Sequence, residues 1–150
     1  MSAGKAPKTL RADARSLVEN CAGWNSRLAA RRITQYFDRE IAATGLSTAQ
    51  LGLLALIAAA EDDTLGALAE RAGLEQSTLS RNLRSLEEAG LIEIATVQAD
   101  LRRRAVWLTE AGAMRLEAAL PLWRKAQRGL RRHVSPSLAR RLALAAEALG

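Results

Sequence analysis

The chain has 150 residues, 49% of them hydrophobic, with 22 Lys and Arg against 16 Asp and Glu and a formal net charge of +6. That length and apolar content exclude a disordered chain and suit one domain with a real core, while 3% aromatics in an alanine- and leucine-rich sequence favour helix over sheet. The basic balance suits a polyanionic partner, nucleic acid or an acidic membrane surface, although a basic protein without such a partner has the same composition. One cysteine excludes an intrachain disulfide framework and fits a reducing compartment. Residues 1–14 lack the apolar core of a signal peptide, and the apolar run LGLLALIAAA stops at Glu61-Asp62-Asp63, too short to span a bilayer. A cytoplasmic protein is the expectation.

Residues 1–10 are small, basic and interrupted by Pro7, which predicts a loose arm. One long helix is predicted over about 11–43. Leu17, Cys21, Trp24 and Leu28 step by four, three and four, and Ala29, Ile33, Tyr36, Phe37 and Ile41 continue after a small change of face. Gly45 ends that pattern and Ser47 reads as the N-cap of the next helix, 48–60. Leu51, Leu53, Leu54, Leu56 and Ile57 make this helix apolar nearly all round, so it must be buried.

The stretch 64–112 organises the rest. A short helical run, 65–72, is stopped by Gly73, and a second helix starts near Gln76 with Leu79, Leu83 and Leu86 on one face. Ser77, Arg81 and Arg84 then point away from the core, with Thr78 and Ser85 nearer the edge. Next the period changes. Residues 91–97 and 105–109 are β-branched and alternating, and the link 98–104 carries Arg102, Arg103 and Arg104 in a row. Helix, glycine turn, second helix and a hairpin with a basic tip make a winged helix-turn-helix. After it Thr109 can cap a helix over about 110–134, with Leu116, Leu120, Trp123, Leu130 and Val134 on one stripe and a kink expected at Pro121. Ser135-Pro136 restarts the chain as N-cap and first helical residue, and the last helix uses Leu138, Leu142, Ala145 and Leu149.

For catalysis the sequence is poor. Its only histidine, His133, has no cysteine or carboxylate at metal-ligand spacing, and no glycine-rich phosphate loop or Ser–His–Asp arrangement is apparent. No enzyme, metal or cofactor is expected. For DNA the residues are better suited. Ser77, Thr78 and Arg81 sit on the first turns of the second helix, the part that enters the major groove in helix-turn-helix proteins, and arginine can bond guanine bidentately. Ser85 is a further candidate on the same helix, hydroxyls being able to reach base edges or phosphate, while Arg84 and Arg102 to Arg104 suit phosphate or the minor groove; any one arginine taken alone is equally a solvated surface charge.

The segment STLSRNLRSLEEAGLI, the wing residues Asp100-Leu101-Arg102 and the exit Leu108-Thr109-Glu110-Ala111-Gly112 carry a resemblance. The D-x-R wing with L-T-x-x-G eight residues after the aspartate resembles the MarR family of winged-helix transcription regulators. The resemblance covers nearly the whole chain, although the wing turn lacks glycine or proline. It implies a mostly α fold with a small β-hairpin wing, and N- and C-terminal helices that form a homodimer. The divisions are then an arm over 1–10, a dimerisation helix over 11–45, the winged helix-turn-helix over 46–112 and C-terminal dimerisation helices over 113–150.

The function implied is a sequence-specific regulator of double-stranded DNA, a repressor on an inverted-repeat operator, released by a small-molecule effector. Asp100 would position the wing. Trp24, Tyr36, Phe37 and Trp123 are candidates for an effector pocket, and equally for core. Some relatives sense peroxide through a cysteine early in the first helix. That leaves Cys21 open between a redox switch and a small buried hydrophobe. A winged helix used as a protein-interaction or architectural module is the remaining alternative, and would show an apolar patch on the outer face. No single helix pairs a wholly basic face with large aromatics opposite, so no membrane partner is expected.

Overall fold

The computed structural model describes residues 4, 7–97 and 100–150, with the side chains of residues 97 and 100–103 outside that description. It divides into two compact units, residues 1–36 and 37–150.

The first unit holds α1 (Lys8–Asn20) and most of α2 (Ala22–Glu40). The long helix expected over 11–43 is therefore two helices. Cys21 is the break, with extended backbone at φ −67° and ψ 114°. The Asn25 side chain covers the break: its Nδ2 donates to Val18 O and Glu19 O at 3.3 Å each, and at 2.9 Å to Cys21 O, which also accepts from Asn25 N. Asn20, Gly23 and Asn25 are weak helix formers, and their clustering is the local signal for this break. Cys21 accordingly lies on no continuous helical stripe. It is half-buried, and its Sγ accepts from the Trp24 backbone N–H at 3.4 Å, as an N-cap does. Leu10, Leu17, Val18 and Trp24 are all exposed.

In the second unit a 3-10 turn, Ala42–Thr44, leads to Gly45 in the left-handed region at φ 73° and on to α3 (Thr48–Ala59). Ser47 caps α3 as expected. Its side chain accepts from Gln50 N, while Gln50 Oε1 accepts from Ser47 N, a reciprocal capping box. Asp38 adds a carboxylate at the same helix start, accepting from Thr48 N and Thr48 Oγ1 at 2.7 Å each. Leu51, Leu53, Leu54 and Ile57 of α3 are buried in the core with Leu68, Leu79, Leu83, Leu86, Leu91, Ile92, Val106 and Ala119. Only this leucine-rich face of the helix is buried, as the floor of the winged helix; Gly52, Ala55, Ala58 and Ala59 are exposed, so the helix is not buried all round.

On that floor lie α4 (Leu65–Ala72), capped by Thr64, and α5 (Gln76–Glu88), separated by Gly73 at φ 59°. Leu79, Leu83 and Leu86 are the buried face of α5, as their spacing predicts. The strands β1 (Ile92–Val97) and β2 (Asp100–Leu108) pair antiparallel, from Ile92 opposite Leu108 to Thr96 opposite Arg104. A shift of register follows, because Val97 pairs with Asp100. Arg102, Arg103 and Arg104 therefore belong to β2 and not to a loop. Residues 101–103 are the excess that the irregularity absorbs, and the tip, 98–99, lies outside the described residues. The hairpin is also pinned to the segment before α4. Val106 N donates to Asp63 O at 2.8 Å, and Thr64 bridges Ala105.

Next comes α6 (Glu110–Leu130), shorter at its end than the expected 110–134 and unbroken through Pro121. Pro121 and Glu117 are both exposed, so water can satisfy the carbonyl that the missing N–H leaves. Of the stripe expected on this helix only Leu130 is buried; the other buried positions are small residues in a different register, Gly112, Ala119 and Ala126. Trp123, assigned to the apolar stripe, is 38% exposed. The last helix, α7 (Pro136–Ala146), starts with Pro136 in its first turn as expected, although Ser135 makes no side-chain cap bond. Its Leu138, Leu142 and Leu144 are exposed.

Candidate nucleic-acid interface

Leucines at positions 79, 83 and 86 turn one face of α5 into the core, and this fixes what the other face offers. Ser77, Ser80, Arg81, Arg84 and Ser85 are exposed, and Thr78 is half-buried at the edge. Small hydroxyls along the first turns let a helix lie close to base edges, and the two arginines supply forked donors for guanine or phosphate. Ser80 is a member that sequence reading missed. Its signal was the spacing of three from Ser77, masked by its position between Leu79 and Arg81.

Beside this face runs a groove of about 690 Å³, lined by Thr64 and Leu65 of the α4 start, Gln76, Ser80 and Leu83 of α5, and Arg104 of the wing. The exposed Arg104 is thereby brought to the flank of α5 by the strand pairing. The side chains of Asp100, Arg102 and Arg103 lie outside the described residues. Elsewhere on the hairpin Trp107 Nε1 donates to Glu93 Oε2 at 3.0 Å, a cross-strand pair in register.

Ser85 is also tied inward. Its Oγ accepts from Gln50 Nε2 at 3.1 Å, so α5 is tied to the capping box of α3. No large hydrophobic residue is exposed on α5, where an interaction module would need one. Of the aromatics assigned to an effector pocket, Trp24 and Tyr36 belong to the first unit and Phe37 and Trp123 to the second. Phe37 is buried, Tyr36 half-buried, and Trp24 and Trp123 exposed. His133 is exposed just after α6, and no group of three metal-ligating side chains occurs among the described residues. No helix among them is long and apolar enough to cross a membrane.

Comparison with known proteins agrees with this geometry. A family model described as the MarR family matches residues 44–103, which run from the end of the 3-10 turn into β2. The transcriptional regulator MosR of M. tuberculosis, solved in complex with DNA, is 35% identical with a TM-score of 0.77, over 87% of this chain and 96% of that one. A MarR-family regulator from Silicibacter pomeroyi is 28% identical with a TM-score of 0.61, over 91% and 92% of the two chains. A search of curated proteins gives no match. The winged helix, the hydroxyl and arginine face of α5 and a relative of this identity over almost its whole length agree: the chain belongs to the MarR family of DNA-binding transcription regulators, which are not enzymes.

Proposed function

We propose that the protein is a cytoplasmic homodimer that binds an inverted-repeat operator, one α5 in the major groove of each half-site, and represses transcription until a small-molecule effector releases it. The observation that carries the reading is the outer face of α5, where Ser77, Ser80, Arg81, Arg84 and Ser85 stand exposed beside the exposed Arg104 of the wing. The similarity to MosR, solved with DNA bound, supports it. So do the apolar side chains of α1 and α7 that are exposed in the single chain, Leu10, Leu17, Val18, Leu138, Leu142 and Leu144. Such surface is what a two-fold interface would bury.

Arg81 stands on an early turn of α5 and is assigned to a base edge. Arg102, Arg103 and Arg104 on the wing are assigned to backbone or minor groove, with Asp100 positioning them. Losing a base contact costs roughly 1–3 kcal/mol on the cognate site and relaxes preference at one position per half-site. Losing a phosphate contact weakens all sequences alike and flattens the salt dependence by about one unit of slope. Arg81→Ala is therefore expected to lower the cognate-to-scrambled ratio, and Arg104→Ala to lower affinity on any duplex. Selection from a random duplex library, followed by titration at several salt concentrations, tests this. Half-sites centred about 10 base pairs apart are expected. An unchanged ratio in Arg81→Ala would remove α5 from the major groove.

A second reading rests on Cys21, which lies at a helix break and is partly exposed. In that reading oxidation of its thiol releases DNA. Peroxide-triggered release that disappears in Cys21→Ala would establish it, and release that persists would dismiss it.

A further inference from the structure

We infer that Gln50 is a positioning residue that fixes the Ser85 hydroxyl as a hydrogen-bond donor to a DNA phosphate. The inference rests on the reading of α5 as the recognition helix. It starts from a backbone group outside that helix. The Ser47 N–H lies 3.0 Å from Gln50 Oε1 and can only donate, so this end of the amide must be the oxygen. The other end is then the NH2 group, 3.1 Å from Ser85 Oγ, and an amide nitrogen has no lone pair to offer. Ser85 Oγ therefore accepts. A serine hydroxyl has a single proton, and with the oxygen facing Gln50 as acceptor that proton is directed elsewhere.

No second partner for this hydroxyl exists among the described residues, including the carbonyls of the preceding helical turn. The residue is exposed on the same face as Arg81 and Arg84. At 1.5 Å per residue it stands about 12 Å along the helix from Ser77. When the first turns enter the groove, the third turn passes over the sugar-phosphate strand, where every available partner is an acceptor. The chain of bonds then runs in one direction, from Ser47 N–H through the Gln50 amide to Ser85 and on to phosphate oxygen.

The test uses the full-length protein, a duplex recovered by selection and a scrambled duplex of the same composition. Ser85→Ala is expected to weaken both duplexes alike, by about 2- to 10-fold per half-site. It should leave the salt slope unchanged because no charge is removed. Ser85→Thr keeps the hydroxyl and should recover most of the affinity that Ser85→Ala loses. Gln50→Glu keeps the oxygen that accepts from Ser47 N, so thermal stability should hold. Its carboxylate draws in the Ser85 proton, so binding should fall at least as far as in Ser85→Ala.

The pair separates this from simple charge repulsion, because Gln50→Glu should cost little further in the Ser85→Ala background. An equal loss in both backgrounds, or parental binding by Ser85→Ala, overturns the inference. If Arg81→Ala still relaxes specificity in that event, only the Gln50–Ser85 relay has failed. If it does not, the placement of α5 has failed instead.

Discussion

Gly112 sits in the first turn of α6, directly over the backbone of Leu91. A Cβ built there runs into the Leu91 carbonyl oxygen, and a backbone oxygen cannot swing aside as a side-chain tip can. That carbonyl already accepts from Thr109 N at 3.1 Å, and Thr109 Oγ1 donates to Gly90 O at 2.6 Å while accepting from Gly112 N at 3.0 Å. The L-T-x-x-G exit of the wing is thus a knot in which threonine supplies the bonds and glycine the room. Gly112→Ala is expected to cost about 3 kcal/mol, as forced overpacking does, and to lower the melting temperature by about 10 °C. Thr109→Ala should lose about 1–2 kcal/mol with the cap, and Thr109→Ser should recover most of it. Calorimetry of the three variants checks both statements, and a Gly112→Ala protein as stable as the parent would refute the close approach.

Among elements, α3 is the one on which the others depend. Its start gathers the capping box, the Asp38 carboxylate and, through Gln50, the outer helix α5. Nearby, Arg115 of α6 donates to Thr44 O at 2.9 Å and so satisfies the end of the 3-10 turn before Gly45. Asp38→Ala removes an acceptor from two donors at a helix N-terminus, so a loss of about 1–2 kcal/mol is expected. Because α3 carries α5, DNA affinity should fall in step with stability and be restored at lower temperature. Chemical denaturation and duplex binding measured on the same preparation would expose any loss of binding without loss of stability, which would contradict this order of dependence.

For the whole molecule the decisive quantity is the apolar surface at the chain ends. Leu10 is 54% exposed, Leu17 60%, Leu138 52% and Leu142 55%. Water-exposed leucines in that number on two amphipathic helices are costly in a monomer, at about 25 cal/mol per Å² of apolar surface left unburied. Removing residues 135–150 is expected to weaken self-association and, with it, operator affinity, because a lone half-site contact forfeits the linkage between two. Sedimentation at micromolar concentration is the measurement, and a stable monomer for the intact chain would count decisively against the proposed homodimer.

The sequence by itself determined whatever is written locally. Ser47, Gly73 and Thr109 mark helix ends through groups within three residues of themselves, and the leucines of α5 define its buried face by spacing alone. The outer face with Ser77, Arg81 and Arg84 follows, and so does the MarR resemblance carried by the wing. Tertiary structure decided what depends on partners far along the chain. Residue 50 touches residue 85, the hairpin is held by Asp63, and Arg104 reaches the flank of α5 only through its pairing with Thr96. The break at Cys21 lay between these cases. Asn20, Gly23 and Asn25 announced it, yet an apolar pattern running through it resembled one helix. The heptad of Gly112, Ala119 and Ala126 was hidden for another reason: hydrophobic periodicity registers large side chains, whereas close helix packing is set by the small ones.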